Sequence, residues 1–137
     1  MVLDTNVVVA AFRSRTGASN LLLRMADEGR VTPLCSTALF LEYEAVLSRK
    51  ETRAATGHTL KDVAKVMSAF AAIAEGVDIS FRTRPLLADA ANEMVVETAL
   101  NGYADAVVTH NIRDFSAALK LGLTITTPGD VVRRLTK

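Results

Sequence analysis

Short apolar runs rich in β-branched residues alternate along the chain with longer stretches of helical periodicity. Residues 1–4 read as a first strand, and the run VVVAAF at 7–12 either continues it or forms a short helix. RSRTGAS is a loop, with Ser19 as the candidate cap of a helix, NLLLRMADEG, closed by Gly29. VTPLC is a second strand, and Pro33 within it suggests an edge or a bulge. STALFLEYEAVLSRK follows as a helix, then a polar stretch, ETRAATGH. The next helix is TLKDVAKVMSAFAAIAEG, opened by a capping box of Thr59 and Asp62; its apolar residues are expected to be core. VDISF is a third strand, RTRPLLADAA a loop, and NEMVVETALNG a helix closed by Gly102. DAVVT is a fourth strand, followed by the loop HNIRDF and a short helix, SAALKLG. LTIT is the fifth strand, and Pro128 opens a terminal helix where its missing N–H costs nothing.

Strands separated by helices imply right-handed crossovers, a central, mostly parallel sheet of about five strands, and helices on both faces. In such α/β folds the functional groups gather at the carboxyl ends of the strands. Asp4 stands at such an end.

With 137 residues, 50% of them hydrophobic and 23% charged, the chain is expected to form one soluble globular domain over 1–137. The net charge of +1 indicates no class of partner, although arginines and lysines cluster at Arg13 and Arg15, at 49–53, at Arg82 and Arg84, and at Arg133 and Arg134. The single cysteine, Cys35, reads as a buried thiol and suits a reducing compartment. No apolar stretch is long enough to span a membrane, and no basic segment precedes an apolar one at the start, so a cytoplasmic location with no membrane is expected.

Four places put polar groups where a sheet-end site would form. Asp4 and Asn6 interrupt the first apolar run, although Asp4 read alone could be a turn cap. Glu42 lies on or beside the buried stripe of Leu39, Tyr43, Val46 and Leu47, whereas Glu44 falls nearer the rim. Asp89 is a candidate N-cap for the helix whose inward stripe begins at Asn92; Glu93 and Glu97 fall on another, wetter face. HNIRDF offers His110, Asn111 and Asp114 just after the fourth strand. His58 reads as a surface loop residue and His110 as a site-rim residue. Carboxylates converging at one point repel each other unless a cation lies between them. An oxygen-only donor set selects Mg²⁺ or Mn²⁺, which suits phosphodiester chemistry.

The stretches VLDTNVVVAAF, LEYEAVLSR, DAANEMVVETALNG and ADAVVTHNIRDF resemble, in order and spacing, the PIN-domain family. The nearest class is the toxins of bacterial toxin–antitoxin systems, related to the VapC-like ribonucleases. This resemblance implies a three-layer α/β/α PIN-like fold and metal-dependent endonucleolytic cleavage of RNA with Mg²⁺ or Mn²⁺. It further implies an antitoxin partner and a homodimer. By position, Asp4 matches the first acid and Glu42 the helix acid. Asp89 matches the first acid of the third segment, and Asp114 with Asn111 falls in the fourth block; Asn6 supports the first acid. Asp4, Glu42, Asp89 and Asp114 are thus the expected metal ligands and catalytic groups. The departure is Asn92, where the family's stronger third acid usually stands. Asp89 or Glu93 compensates, or the protein is a weakened module that binds RNA or a regulatory partner without efficient cleavage. A phosphatase of the haloacid-dehalogenase style, with Asp4 as nucleophile, lacks the second acid two residues on, where this chain has Asn6.

Overall fold

The computed structural model describes residues 1–81, 87 and 89–136. Five two-residue strands alternate with helices: β1 Val2–Leu3, β2 Leu34–Cys35, β3 Glu75–Gly76, β4 Val107–Val108 and β5 Ile125–Thr126. The helices are α1 Thr5–Arg13, α2 Ala18–Asp27, α3 Thr37–Ser48, α4 Lys50–Thr56, α5 Leu60–Ile73, α6 Ala90–Asn101 and α7 Pro128–Leu135, with a 3₁₀ helix at Ile112–Leu121.

All strand pairs are parallel, as the alternating pattern requires, but they do not form one five-stranded ladder. The order β1-β4-β5 makes one sheet and β2-β3 another. One backbone bond joins the two, from the Leu34 N–H to the Met1 carbonyl at 2.8 Å. Pro33 stands just before β2 rather than inside it, and its carbonyl accepts the Glu75 N–H at 2.9 Å, so its missing donor faces β3 and not β1.

Several local expectations change. β3 forms at Glu75–Gly76, before the apolar VDISF, because its partner β2 is too short to pair further along. The polar stretch after α3 is helical: α4 ends at Gly57, whose φ of +79° is the left-handed stop that glycine accepts. VVVAAF belongs to a helix, α1. Ser19 is not the cap of α2; Gly17 holds that position. Glu93 and Glu97 are buried, at 2% and 3% exposure, not on a wet face. The 3₁₀ helix begins at Ile112, inside the segment expected as loop. His58 is half-buried, its ring 5.4 Å from that of Phe12. The capping box of Thr59 and Asp62 and the Pro128 start of α7 are both present. Most of the expected loop RTRPLLADAA, with Arg82 and Arg84, lies outside the described residues.

The core joins β1, β4 and their neighbours to the inner faces of α1, α2, α3, α5 and α6, with Val2, Leu3, Leu39, Tyr43, Val95, Val96 and Phe115 at most 2% exposed. Cys35 lies in it, and burial pushes its thiol up to about 12, so it is an inert core group. Tyr43 packs edge-on against Phe70 and donates its hydroxyl to the Leu3 carbonyl. That bond fixes the end of β1 one residue before Asp4. Tyr43→Phe keeps the ring but leaves a buried carbonyl without this donor, so a stability loss of about 1–3 kcal/mol is expected. Urea unfolding checks it as a lower midpoint at unchanged slope.

Candidate functional site

Asp4 is placed by strand register. Leu3 pairs with Val108, so the residues that follow, Asp4 and Thr109, emerge side by side at the carboxyl end of the sheet. The Asp4 backbone N–H still bonds to the Val108 carbonyl at 2.9 Å. Asp4 occupies the N-cap position of α1, yet its carboxylate makes no capping bond. Its Oδ2 instead accepts the Thr109 hydroxyl at 2.7 Å, while Thr109 Oγ1 accepts the Asn111 N–H at 3.0 Å. The donation from Asn111 orients the threonine proton toward the carboxylate. Thr109 is fully buried. Sequence reasoning assigned it no role, although it stands in the VTHN block at the end of a parallel strand, which is the signal that could have found it.

Asp4 is 7% exposed, and burial raises its pKa above the ordinary carboxylate value. The Thr109 hydroxyl and the Thr5 backbone N–H pull it back, and the charges of Asp114 and Asp89 raise it further. The last two effects show that three carboxylates share one field.

The expected residues share the lining of one cleft. A cleft of about 530 Å³ is lined by Asp4, Asn6, Glu42, Asp89, Asn92, Asn111 and Asp114, with Thr5, Val9, Ala10, Arg13, Val46, Ala91 and His110 completing it. Glu42 is half-buried on α3 and Glu44 is exposed, as the helical stripe predicted. Asp89 caps α6, its Oδ1 accepting the Ala91 N–H at 2.8 Å, which leaves Oδ2 for the cleft. Asn92 is half-buried one turn later, while Asp114 is exposed in the first turn of the 3₁₀ helix. Asn6 reaches across from α1, its Oδ1 accepting the His110 N–H at 3.4 Å. Glu93 turns away from this set: its Oε1 accepts the Leu87 N–H at 2.5 Å, which fixes the approach to α6. It does not line the cleft and so does not stand in for the missing acid.

Asp89, Asn92 and Asp114 also line an adjoining cleft of about 480 Å³ that contains Arg113 and Ser116. The two clefts make one groove, with Arg13 lining only the first and Arg113 only the second.

A family model described as a PIN domain matches residues 1–113. The chain belongs to the PIN-domain family. No curated protein and no solved structure matches it.

PIN domains are α/β proteins and generally nucleases that use divalent metal ions, and both the parallel strands and the sheet-end acids fit that membership. The phosphatase alternative finds no support in it. The donor set of this PIN domain fits a hard cation in kind, being carboxylate and amide oxygen throughout. Its spacing is open: among the described residues no three carboxylate, imidazole or thiolate groups stand close enough to hold a metal ion. Asp89 and Asp114 are exposed, and Asp89 Oδ1 is engaged by the Ala91 N–H. Among the described residues of this PIN domain, no helix is long and apolar enough to cross a membrane.

Proposed function

We propose that the protein is a metal-dependent endoribonuclease, the toxin of a toxin–antitoxin pair, working with Mg²⁺ or Mn²⁺. The observation that carries this reading is the gathering of Asp4, Glu42, Asp89 and Asp114 along one cleft of a PIN domain. Asp4 and Glu42 would hold the cation from opposite elements, joined by the free oxygen of Asp89 or by Asp114. The chemistry supplied by a bound cation is charge neutralisation at the phosphodiester and activation of water. Thr109 keeps one Asp4 oxygen turned inward, so the other faces the cleft. Asn6 holds the loop after β4 against α1 by accepting the His110 N–H, and the Asn111 N–H closes that loop on Thr109. Arg13, which lines the first cleft, and Arg113, which lines the second, offer two cations to a nucleic-acid backbone. RNA substrate, an antitoxin covering the acid cleft, a homodimer and a cytoplasmic location complete the proposal.

The test is cleavage of a labelled RNA with Mg²⁺ or Mn²⁺, with and without EDTA. Product that appears only with the cation and vanishes with EDTA is expected; product that persists in EDTA overturns the metal-dependent reading. Asn92 favours a second reading, a PIN module that retains RNA without cutting it efficiently, because an amide brings no charge to the cation.

A further inference from the structure

His110 lines the acid cleft, yet its ring is held from outside it. Its Nε2 lies 2.9 Å from the hydroxyl of Ser19, a residue on α2 that is 91 positions away, 3% exposed and not part of the cleft lining. The neighbouring backbone is fixed too, because the His110 N–H reaches Asn6 and the Asn111 N–H reaches Thr109. An exposed imidazole is thus locked through one nitrogen, leaving Nδ1 as its one free polar atom.

We propose that His110 contacts the nucleic-acid backbone, donating from Nδ1 to a phosphodiester oxygen, and that Ser19 is the positioning residue that aims the ring. This rests on the nuclease reading above. In this arrangement the Ser19 hydroxyl, which can donate or accept, donates to Nε2, so the ring proton sits on Nδ1, and phosphate oxygens only accept. A cleft walled by carboxylates repels a phosphodiester, so a donor already fixed in orientation adds grip where the acids give none. Holding the ring before binding also removes the entropy loss of fixing it afterwards.

The test uses cleavage-silent Asp4→Asn protein, Mg²⁺ and a fluorescent oligoribonucleotide read by anisotropy. Asparagine places its amide where Nδ1 stands, and glutamine places its own where Nε2 stands. His110→Ala should weaken binding about tenfold, the value of one hydrogen bond to a charged group. His110→Gln should lose as much although it can still reach Ser19, and His110→Asn should recover most of the affinity. Ser19→Ala should cost about threefold alone and nothing further beside His110→Ala. Recovery by glutamine and not by asparagine, or affinity untouched by His110→Ala, overturns the contact and leaves His110 a tether between α2 and the loop after β4; the nuclease reading then stands. Absence of RNA binding in every version, together with absence of cleavage by the unaltered protein, overturns the nuclease reading and the contact with it.

Discussion

Asp4→Asn is expected to remove at least about a hundredfold of RNA cleavage while making the protein harder to unfold. Groups that merely support metal ligands are worth roughly 10–100-fold, and a ligand carboxylate is worth no less. The gain in stability follows from burial. In the folded protein the Asp4 pKa is raised, chiefly by desolvation and further by Asp114 and Asp89. The native state therefore holds its proton to higher pH than the unfolded chain does. Stability falls as pH rises from the ordinary carboxylate value through the raised one, and the penalty is complete above it. Asparagine keeps an oxygen for the Thr109 hydroxyl and carries no charge to desolvate. Its advantage should be absent below the ordinary carboxylate value, grow through the raised pKa and stay constant at neutral pH. Thermal melts of both proteins across acidic and neutral pH read this difference. Added Mn²⁺ should reverse it by stabilising the unaltered protein alone. Equal melting temperatures at every pH would remove the argument that Asp4 is costly to fold and kept for function.

Asn92→Asp is expected to tighten Mn²⁺ binding about tenfold and to raise cleavage at limiting metal by a similar factor. A unit charge pair at 4 Å near a protein surface is worth roughly 4 kcal/mol before repulsion is subtracted, and tenfold needs about 1.4. The opposing charges are close by: Asp4, Asp89, Asp114 and Glu42 line the same cleft. Without metal the variant should therefore melt lower than the unaltered protein, and with metal higher. Isothermal titration with Mn²⁺ beside paired melts checks both halves. If activity appears only in the variant, the protein as it stands is the weakened module. If metal affinity does not move, Asn92 is not the counterpart of the third acid.

The alternation of strands and helices was legible because β1, β2, β4 and β5 lie in apolar runs bounded by turn residues, and Asp4 stood out as a charge at the end of one. Glu42 was legible from helical spacing, since Leu39, Tyr43 and Leu47 mark the buried stripe beside it. Glu93 and Glu97 defeated the same logic. Their i, i+4 spacing predicts a wetter face, but α6 is covered on most of its surface and buries both, and periodicity cannot see a helix enclosed by its neighbours. Ser19 was misread because a serine at the start of an apolar helix is a good local cap; its actual partner, His110, is a tertiary contact with no local trace. The break between the two sheets was equally hidden, since it depends on strands only two residues long.

The bond between Asp4 and Thr109 spans 105 positions. On a chain made from its N-terminus, the first acid of the cleft emerges long before the strand and hydroxyl that hold it in place. At roughly 5–20 residues per second, that interval lasts about 5–20 s. Through it the nascent polypeptide carries Asp4 and Glu42 without the geometry that makes them a site. On the proposed reading, the acid site that would cut RNA is not assembled until β4 has been made, so the earlier nascent chain lacks it.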